Sequence, residues 1–332
     1  MQTITQKQLI DKAVSLLESG TVSWVIGWEK GEFDYDITPA VFKNAEDVKE
    51  KFVWNDFCGA NFSKYLIAQT GKCEGKILVF LKPCDTYSFN QLLTEHRFDR
   101  EKVYAVGIPC DGMVDISKVK AVCGEGISAI SCDGENLSVT TIYSDAPVLV
   151  KTEDALLERC VNCKSKKHVA YDELLGEDGD VIDSARFDEV AKLEAMTPDE
   201  RFAFWQNELS RCIRCNACRD ACPACTCEKC VFNNPNSGVE NKAAANSFEE
   251  KMFHIIRAFH VAGRCTDCGE CSRVCPQNIP LHLLNRKFIK DINEFYGDYQ
   301  AGAEVGSRAP LVNYTTEDLE PGEIFDRGDL DA

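Results

Sequence analysis

Residues 212–230 read CIRCNACRDACPACTCEKC, and residues 265–276 read CTDCGECSRVCP. Each stretch holds four cysteines at C-x2-C-x2-C-x3-C with a proline after the fourth. They are Cys212, Cys215, Cys218 and Cys222 with Pro223, then Cys265, Cys268, Cys271 and Cys275 with Pro276. This is a 4Fe–4S ligand pattern in which the fourth cysteine of each run binds the cluster of the other run. Three closely spaced thiols wrap one corner of a cubane. The fourth, at the start of a following helix, points the other way, and the proline suits an early helical position. The expected ligand sets are Cys212, Cys215, Cys218 and Cys275 for one cluster, and Cys265, Cys268, Cys271 and Cys222 for the other. Zinc sites pair one C-x2-C with a second pair at a distance. They do not need a four-cysteine run with a trailing proline twice.

The connection between the runs selects the fold. Residues 223–264 separate them, too long for the short hairpin of a small ferredoxin, and this segment contains FEEKMFHIIRAFHVAG (248–263). Its Phe248, Met252, Ile255, Ile256 and Phe259 read as the buried face of a helix, with His254 and His260 as surface or packing residues. Thr197-Pro198-Asp199-Glu200 carries the N-cap, first-turn proline and glutamate of a capping box, and the helix it opens runs into Cys212. A further helix, IPLHLLNRKFIKDINEFYG (279–297), leaves the second run. Residues 197–295 therefore resemble the α-helical ferredoxin module of succinate dehydrogenase and heterodisulfide reductase subunits. The continuation CPACTCEKCVF resembles β subunits of formate dehydrogenase and of deazaflavin-reducing hydrogenase. Subunits of anaerobic sulfite reductase and the β subunits of sulfhydrogenase are looser relatives.

The resemblance implies a non-catalytic, cytoplasmic electron-transfer subunit of an anaerobic multi-subunit oxidoreductase. It would pass single electrons between a redox partner of formate dehydrogenase, hydrogenase or flavoprotein type and a heterodisulfide-reductase-like or ferredoxin acceptor. Relatives also bind FAD. The alternative is thus a flavin-containing subunit that itself exchanges hydride with a deazaflavin or nicotinamide. No G-x-G-x-x-G or Walker sequence is present to mark a nucleotide site.

The remaining cysteines raise the cluster count. The first part of the chain alternates helical and strand-like stretches. Two apolar runs, KILVFL (76–81) and KVYAVGI (102–108), each lead into a Pro-Cys-Asp step, at Cys84 and Cys110. Ligands gather at the carboxyl ends of adjacent parallel strands, so these two thiols can face one site. Cys160 and Cys163 supply a C-x2-C pair that completes four ligands for a third cluster. Relatives of the deazaflavin hydrogenase β type likewise carry a Pro-Cys motif and a later cysteine pair, although this chain lacks their N-terminal ferredoxin run. Cys225, Cys227 and Cys230 are left at C-x-C-x2-C spacing. They either add ligands to a third or fourth cluster, with a first-domain cysteine, or pack beside the clusters as reduced thiols. Cys58, Cys73, Cys123 and Cys132 read as buried thiols. His168 reads as a satisfied histidine, and Asp85 and Asp111 as turn or capping residues.

With 332 residues, a net charge of −17 and nineteen cysteines, the chain is long enough for two domains and too acidic to favour nucleic acid. No apolar run reaches the length of a membrane span, and the N-terminus lacks a signal-peptide pattern. Thiols grouped at metal-ligand spacing suit a reducing compartment. The expected class is α+β. It comprises an α/β domain (1–170), an acidic linker (171–196), the α-helical two-cluster domain (197–295) and an acidic extended tail (296–332). In that tail Leu311, Val312, Tyr314, Leu319, Ile324 and Phe325 suit a strap across a partner subunit. Of the arginines near the cluster runs, Arg214, Arg219, Arg264 and Arg273 are expected to raise cluster potential.

Overall fold

The computed structural model describes residues 3–182, 185–234 and 247–310. The apolar tail residues from Leu311 onward lie outside these. The first region is built on eight strands: β1 (Trp24–Lys30), β2 (Ile37–Phe42), β3 (Ile77–Leu81), β4 (Val103–Gly107), β5 (Ile127–Cys132), β6 (Asn136–Thr141), β7 (Ser144–Lys151) and β8 (Glu173–Leu174). Five form one sheet in the order β2-β1-β3-β4-β8, in which only β2 runs antiparallel to its neighbour. Central strands of a parallel sheet are covered on both faces and read as continuous apolar runs. Every residue of β3, Ile-Leu-Val-Phe-Leu, is buried. β5 and β6 form a hairpin around Asp133-Gly134, and β7 extends it into a separate three-stranded sheet.

The pairing of β3 with β4 decides where the site chemistry falls. Leu81 sits opposite Gly107, so both strands stop at one level and their Pro-Cys steps leave side by side. Nε2 of the buried His168 lies 3.1 Å from the carbonyls of both Leu81 and Ile108, tying the two strand ends together. Beside them Lys82 and Asp85 form a fully buried pair, 2.9 Å apart, and the Lys82 ammonium also donates to the Ala60 carbonyl. A buried pair like this fixes geometry more than it stabilises. Here it anchors the first turn of the helix Pro83–Thr94, which carries Cys84.

Residues 171–196 contain β8, which extends the sheet, and the helix Asp188–Ala195, whose Val190 and Leu193 pack against Leu283. The second region consists of the helices Pro198–Ser210, Ser247–His260 and Leu281–Tyr296, with the one-turn helices Ala217–Asp220 and Glu270–Arg273 at the cysteine runs. The Thr197–Glu200 capping box and Pro198 at the first turn form as the sequence predicts. The predicted face of Ser247–His260 forms only in part: Ile256 packs against the core, and the side chain of Phe248 lies outside the described residues. Phe253, His254, Arg257, Ala258 and Val261 are buried, whereas Ile255 and Phe259 are 40% and 62% exposed. Polar His254 and Arg257 turn inward because what they face is a set of sulfur atoms, and an apolar side chain would forfeit the hydrogen bonds and charge that such a lining rewards.

The two regions are tied together by cations of the first reaching loop carbonyls of the second. Lys64 donates to the carbonyls of Cys222 (3.0 Å) and Cys225 (2.6 Å), and Arg97 to that of Thr226 (2.7 Å). Arg159 donates to the Cys268 carbonyl (2.6 Å) and to Glu270, and also to the Gly59 carbonyl. After the last helix the chain runs back. Tyr299 donates to the Gly263 carbonyl and Gly306 to the Thr94 hydroxyl.

Candidate functional site

The two cysteine runs share one backbone solution. Residues two and four positions after the first cysteine are left-handed in both: Arg214 (φ 55°) and Asn216 (φ 63°), then Asp267 (φ 57°) and Gly269 (φ 65°). Three of these are not glycine, and such residues hold this conformation only where their surroundings demand it. Alternation of right- and left-handed residues turns successive N–H groups toward one point and makes an anion-binding nest, a device common at iron–sulfur sites. The Arg214 N–H already points at Cys212 Sγ, 3.4 Å away. Gly269 is required for a second reason, because a Cβ there would lie 2.7 Å from Arg159 Cβ.

Cys212, Cys215, Cys218 and Cys275 line one cavity, with Phe253, Ile279 and Leu281 on its other walls. Cys222 does not line it. Burial pushes the Cys218 thiol up to about 12, against the nearby Arg257, with Cys271, Cys212 and Cys275 adding to the rise. Burial likewise raises Cys265, to about 12, and Cys268, and Cys222 is among the neighbours acting on both and on Cys271. The fourth cysteine of the first run thus sits with the first three of the second, and Cys275 sits with the first run.

Cys84, Cys110, Cys160 and Cys163 line a second cavity, together with Lys164 and Arg159. The same cavity is walled by Asp267 and Cys268 of the second run, which puts its four first-domain thiols next to that run. The wall between them is ionic. Asp267 is held below the usual carboxylate range: burial would raise it, but Arg286 (2.8 Å), Arg186 (2.7 Å) and Lys164 overcome that. Glu270, bridged to Arg159 and Arg273, is lowered to about 2 against the same burial effect.

Cys225, Cys227 and Cys230 line a third, open cleft of ≈ 480 Å³ with Lys64, Arg219 and Arg264, and no first-domain cysteine reaches it. Cys225 lies against Cys222. Cys58 and Cys73 are buried, Cys123 and Cys132 only partly, and all nineteen cysteines are free of disulfides.

Sequence reasoning missed the residue with the strongest claim to a charge role. Arg257 is 3% exposed. It donates to the Cys218 carbonyl at 3.0 Å, yet its Nε has no partner among the described residues. Burial disfavours its charge, but Cys222, Cys271, Cys218 and Cys225 outweigh that and hold it protonated. A buried cation surrounded by thiols without a carboxylate partner fits an anionic group held by those thiols. The arginines picked from the sequence are in part already neutralised: Arg264 by Glu95 (2.6 Å), Arg273 by Glu270 (2.8 Å) and Arg219 by Asp220 (3.0 Å). Arg214 stacks on Phe253, its guanidinium 4.1 Å from the ring centre. Two signals in the sequence mark Arg257: a cation one turn from Phe253 and His254 on the helix between the cysteine runs, and its position eight residues before Cys265.

Among the described residues, no three His, Cys, Asp or Glu side chains are arranged to hold a single metal ion. The cysteines stand around cavities, the arrangement a polynuclear cluster needs. No helix among the described residues is long and apolar enough to cross a membrane.

Comparison with known proteins agrees with this chemistry. Residues 208–279 match the 4Fe-4S dicluster domain family. The chain is 24% identical to the F420-dependent formate dehydrogenase subunit beta of Methanocaldococcus jannaschii, over 90% of this chain and 92% of that one. It is 23% identical to the F420-dependent formate dehydrogenase 1 subunit beta of Methanococcus maripaludis, over 89% and 92%. A chain of the F420-reducing hydrogenase complex from Methanosarcina barkeri, solved as a xenon derivative, aligns over 63% of this chain and 91% of its own, with 15% identity and a TM-score of 0.35.

Proposed function

We propose that this iron–sulfur subunit relays single electrons through three 4Fe–4S sites set in series. The observation that carries the reading is the placement of Cys268 and Asp267 in the wall of the cavity that gathers Cys84, Cys110, Cys160 and Cys163. In this reading Cys212, Cys215, Cys218 and Cys275 hold the first cluster, Cys265, Cys268, Cys271 and Cys222 the second, and the four first-domain cysteines the third. Each such cluster, when bound, takes up and gives back one electron at a potential set by nearby charge, hydrogen bonds and exposure. The chain's own residues do the rest. The nests orient N–H groups toward the sulfurs, and Arg257 and Lys164 supply positive charge within the wall of thiols. Lys64 and Arg159 clamp the loops so that the sites keep their spacing. Cys215 and its neighbour Ile213 are exposed, which makes the first site the door to a partner. Similarity to formate dehydrogenase β subunits supports a catalytic subunit of that type as the partner, within the reducing interior of an anaerobic cell.

A second reading has its own observation. A cleft of ≈ 450 Å³, within the range of cofactor sites, lies between the two regions and is lined by Tyr35, Phe57, Lys118, Arg159 and Arg273. Aromatic rings beside cations suit a flavin, through which the chain itself would exchange hydride. One experiment separates the readings. The complex is isolated anaerobically, the visible absorbance of this subunit is followed on adding formate, and the denatured supernatant is examined for flavin. The relay reading expects bleaching that depends on the catalytic partner. Reduction of the isolated chain by a reduced deazaflavin or nicotinamide, with flavin released on denaturation, would overturn it in favour of the second.

A further inference from the structure

His254 reads from the sequence as a surface or packing residue. In the fold it is 2% exposed, and its Nε2 lies 3.3 Å from Cys212 Sγ. Cys212 is one of the four cysteines lining the first cavity, and His254 lines the same cavity. A cysteine that ligates iron has lost its proton, so its sulfur can only accept. The imidazole must then carry its proton on Nε2 and donate. Its other nitrogen, Nδ1, is buried without a partner among the described residues, and no competing acceptor among them draws the proton away. Phe253 and His254 stack edge to face, with ring centres 5.0 Å apart, which fixes the ring plane.

We infer that His254 is a positioning residue that sets the potential of the first cluster through an Nε2–H···Sγ hydrogen bond to Cys212. This rests on the cluster reading above. The direction follows from charge. Reduction adds an electron that is shared with the ligand sulfurs, and a donor to one of them stabilises the more negative state. Loss of the bond therefore makes the first cluster harder to reduce. The second cluster has no histidine at the equivalent place among the described residues and should not respond.

The test uses the full chain purified anaerobically, with iron content measured first. Absence of iron would defeat the cluster reading and leave the hydrogen bond without an object. With clusters present, the reduced protein is exchanged into deuterium oxide and examined by pulsed EPR. In protein labelled with nitrogen-15 at histidine, a nitrogen coupling together with an exchangeable proton is expected at one cluster, over and above the backbone N–H protons aimed at both, and is assigned to the first cluster by its loss in Cys215→Ser. Redox titrations then compare His254→Phe with His254→Gln, which keeps an N–H donor. The Phe variant is expected to lower the reduction equilibrium of the first cluster about tenfold, about 59 mV for one electron. The Gln variant is expected to restore most of that shift. A wild-type spectrum without the histidine nitrogen coupling would overturn the inference even if the Phe variant fails to fold. So would an equal shift in both clusters.

Discussion

Replacing Cys222 by serine is expected to strip the cluster held by the other run, removing about four irons while the signal of the first cluster survives. The reason is geometric. Cys222 belongs to the first run in sequence, but it does not line the cavity of Cys212, Cys215, Cys218 and Cys275. Its sulfur acts instead on Cys265, Cys268 and Cys271. The reciprocal change, Cys275→Ser, is expected to remove the first cluster and spare the second. EPR of the reduced variants reads the difference, since each change should abolish a different signal. The idea fails if Cys222→Ser abolishes the first signal and leaves the second, which would mean that each run fills its own cluster. Arg257 adds a stability consequence to both variants. With either neighbouring cluster gone, part of the negative charge facing this buried guanidinium disappears, and an uncompensated buried charge costs about 3–5 kcal/mol.

The double change Cys84→Ser and Cys110→Ser is expected to lower iron from about twelve to about eight per chain and to leave both clusters of the 208–279 domain intact. The two thiols follow parallel strands that end at one level, and His168 fastens those ends together. Serine is close in volume, so the sheet should fold unchanged. Electron flow should fall far more than the iron count suggests, because the remaining clusters lose their neighbour on the side of Cys268. Iron analysis with a one-electron dye assay tests both parts. An unchanged iron content would show that these cysteines hold nothing.

The two ferredoxin-type runs are legible in the sequence because their ligand spacing is local: three of four ligands fall within seven residues, and the left-handed turns between them follow from that spacing. The proposed third site shows in the sequence only as two Pro-Cys steps and a distant C-x2-C pair. What brings Cys84, Cys110, Cys160 and Cys163 to one cavity is the parallel pairing of β3 with β4 and the return of residues 160–168 over their ends, and neither has a local signature. The clamps are not legible at all. Arg159 meets Cys268 and Gly59 across about a hundred residues each, and nothing near Arg159 announces either contact. The helix Ser247–His260 shows a different limit. Periodicity selects Ile255 and Phe259 for burial on the rule that apolar residues face inward. The rule assumes an apolar core, and the centre of this region is sulfur and charge, so His254 and Arg257 take the inner face. In 171–196, acidic composition and two glycines suggest a linker, yet Val190 and Leu193 carry the signal for the helix that forms there.

The central claim is that this chain is a multi-cluster electron carrier. The most direct test is the iron and acid-labile sulfide content of the intact protein isolated without oxygen, with Mössbauer spectroscopy to type the iron. About twelve irons and as many sulfides per chain, all in cubane clusters that each accept one electron, is the predicted result. Zinc in place of iron, or iron without labile sulfide, would contradict it.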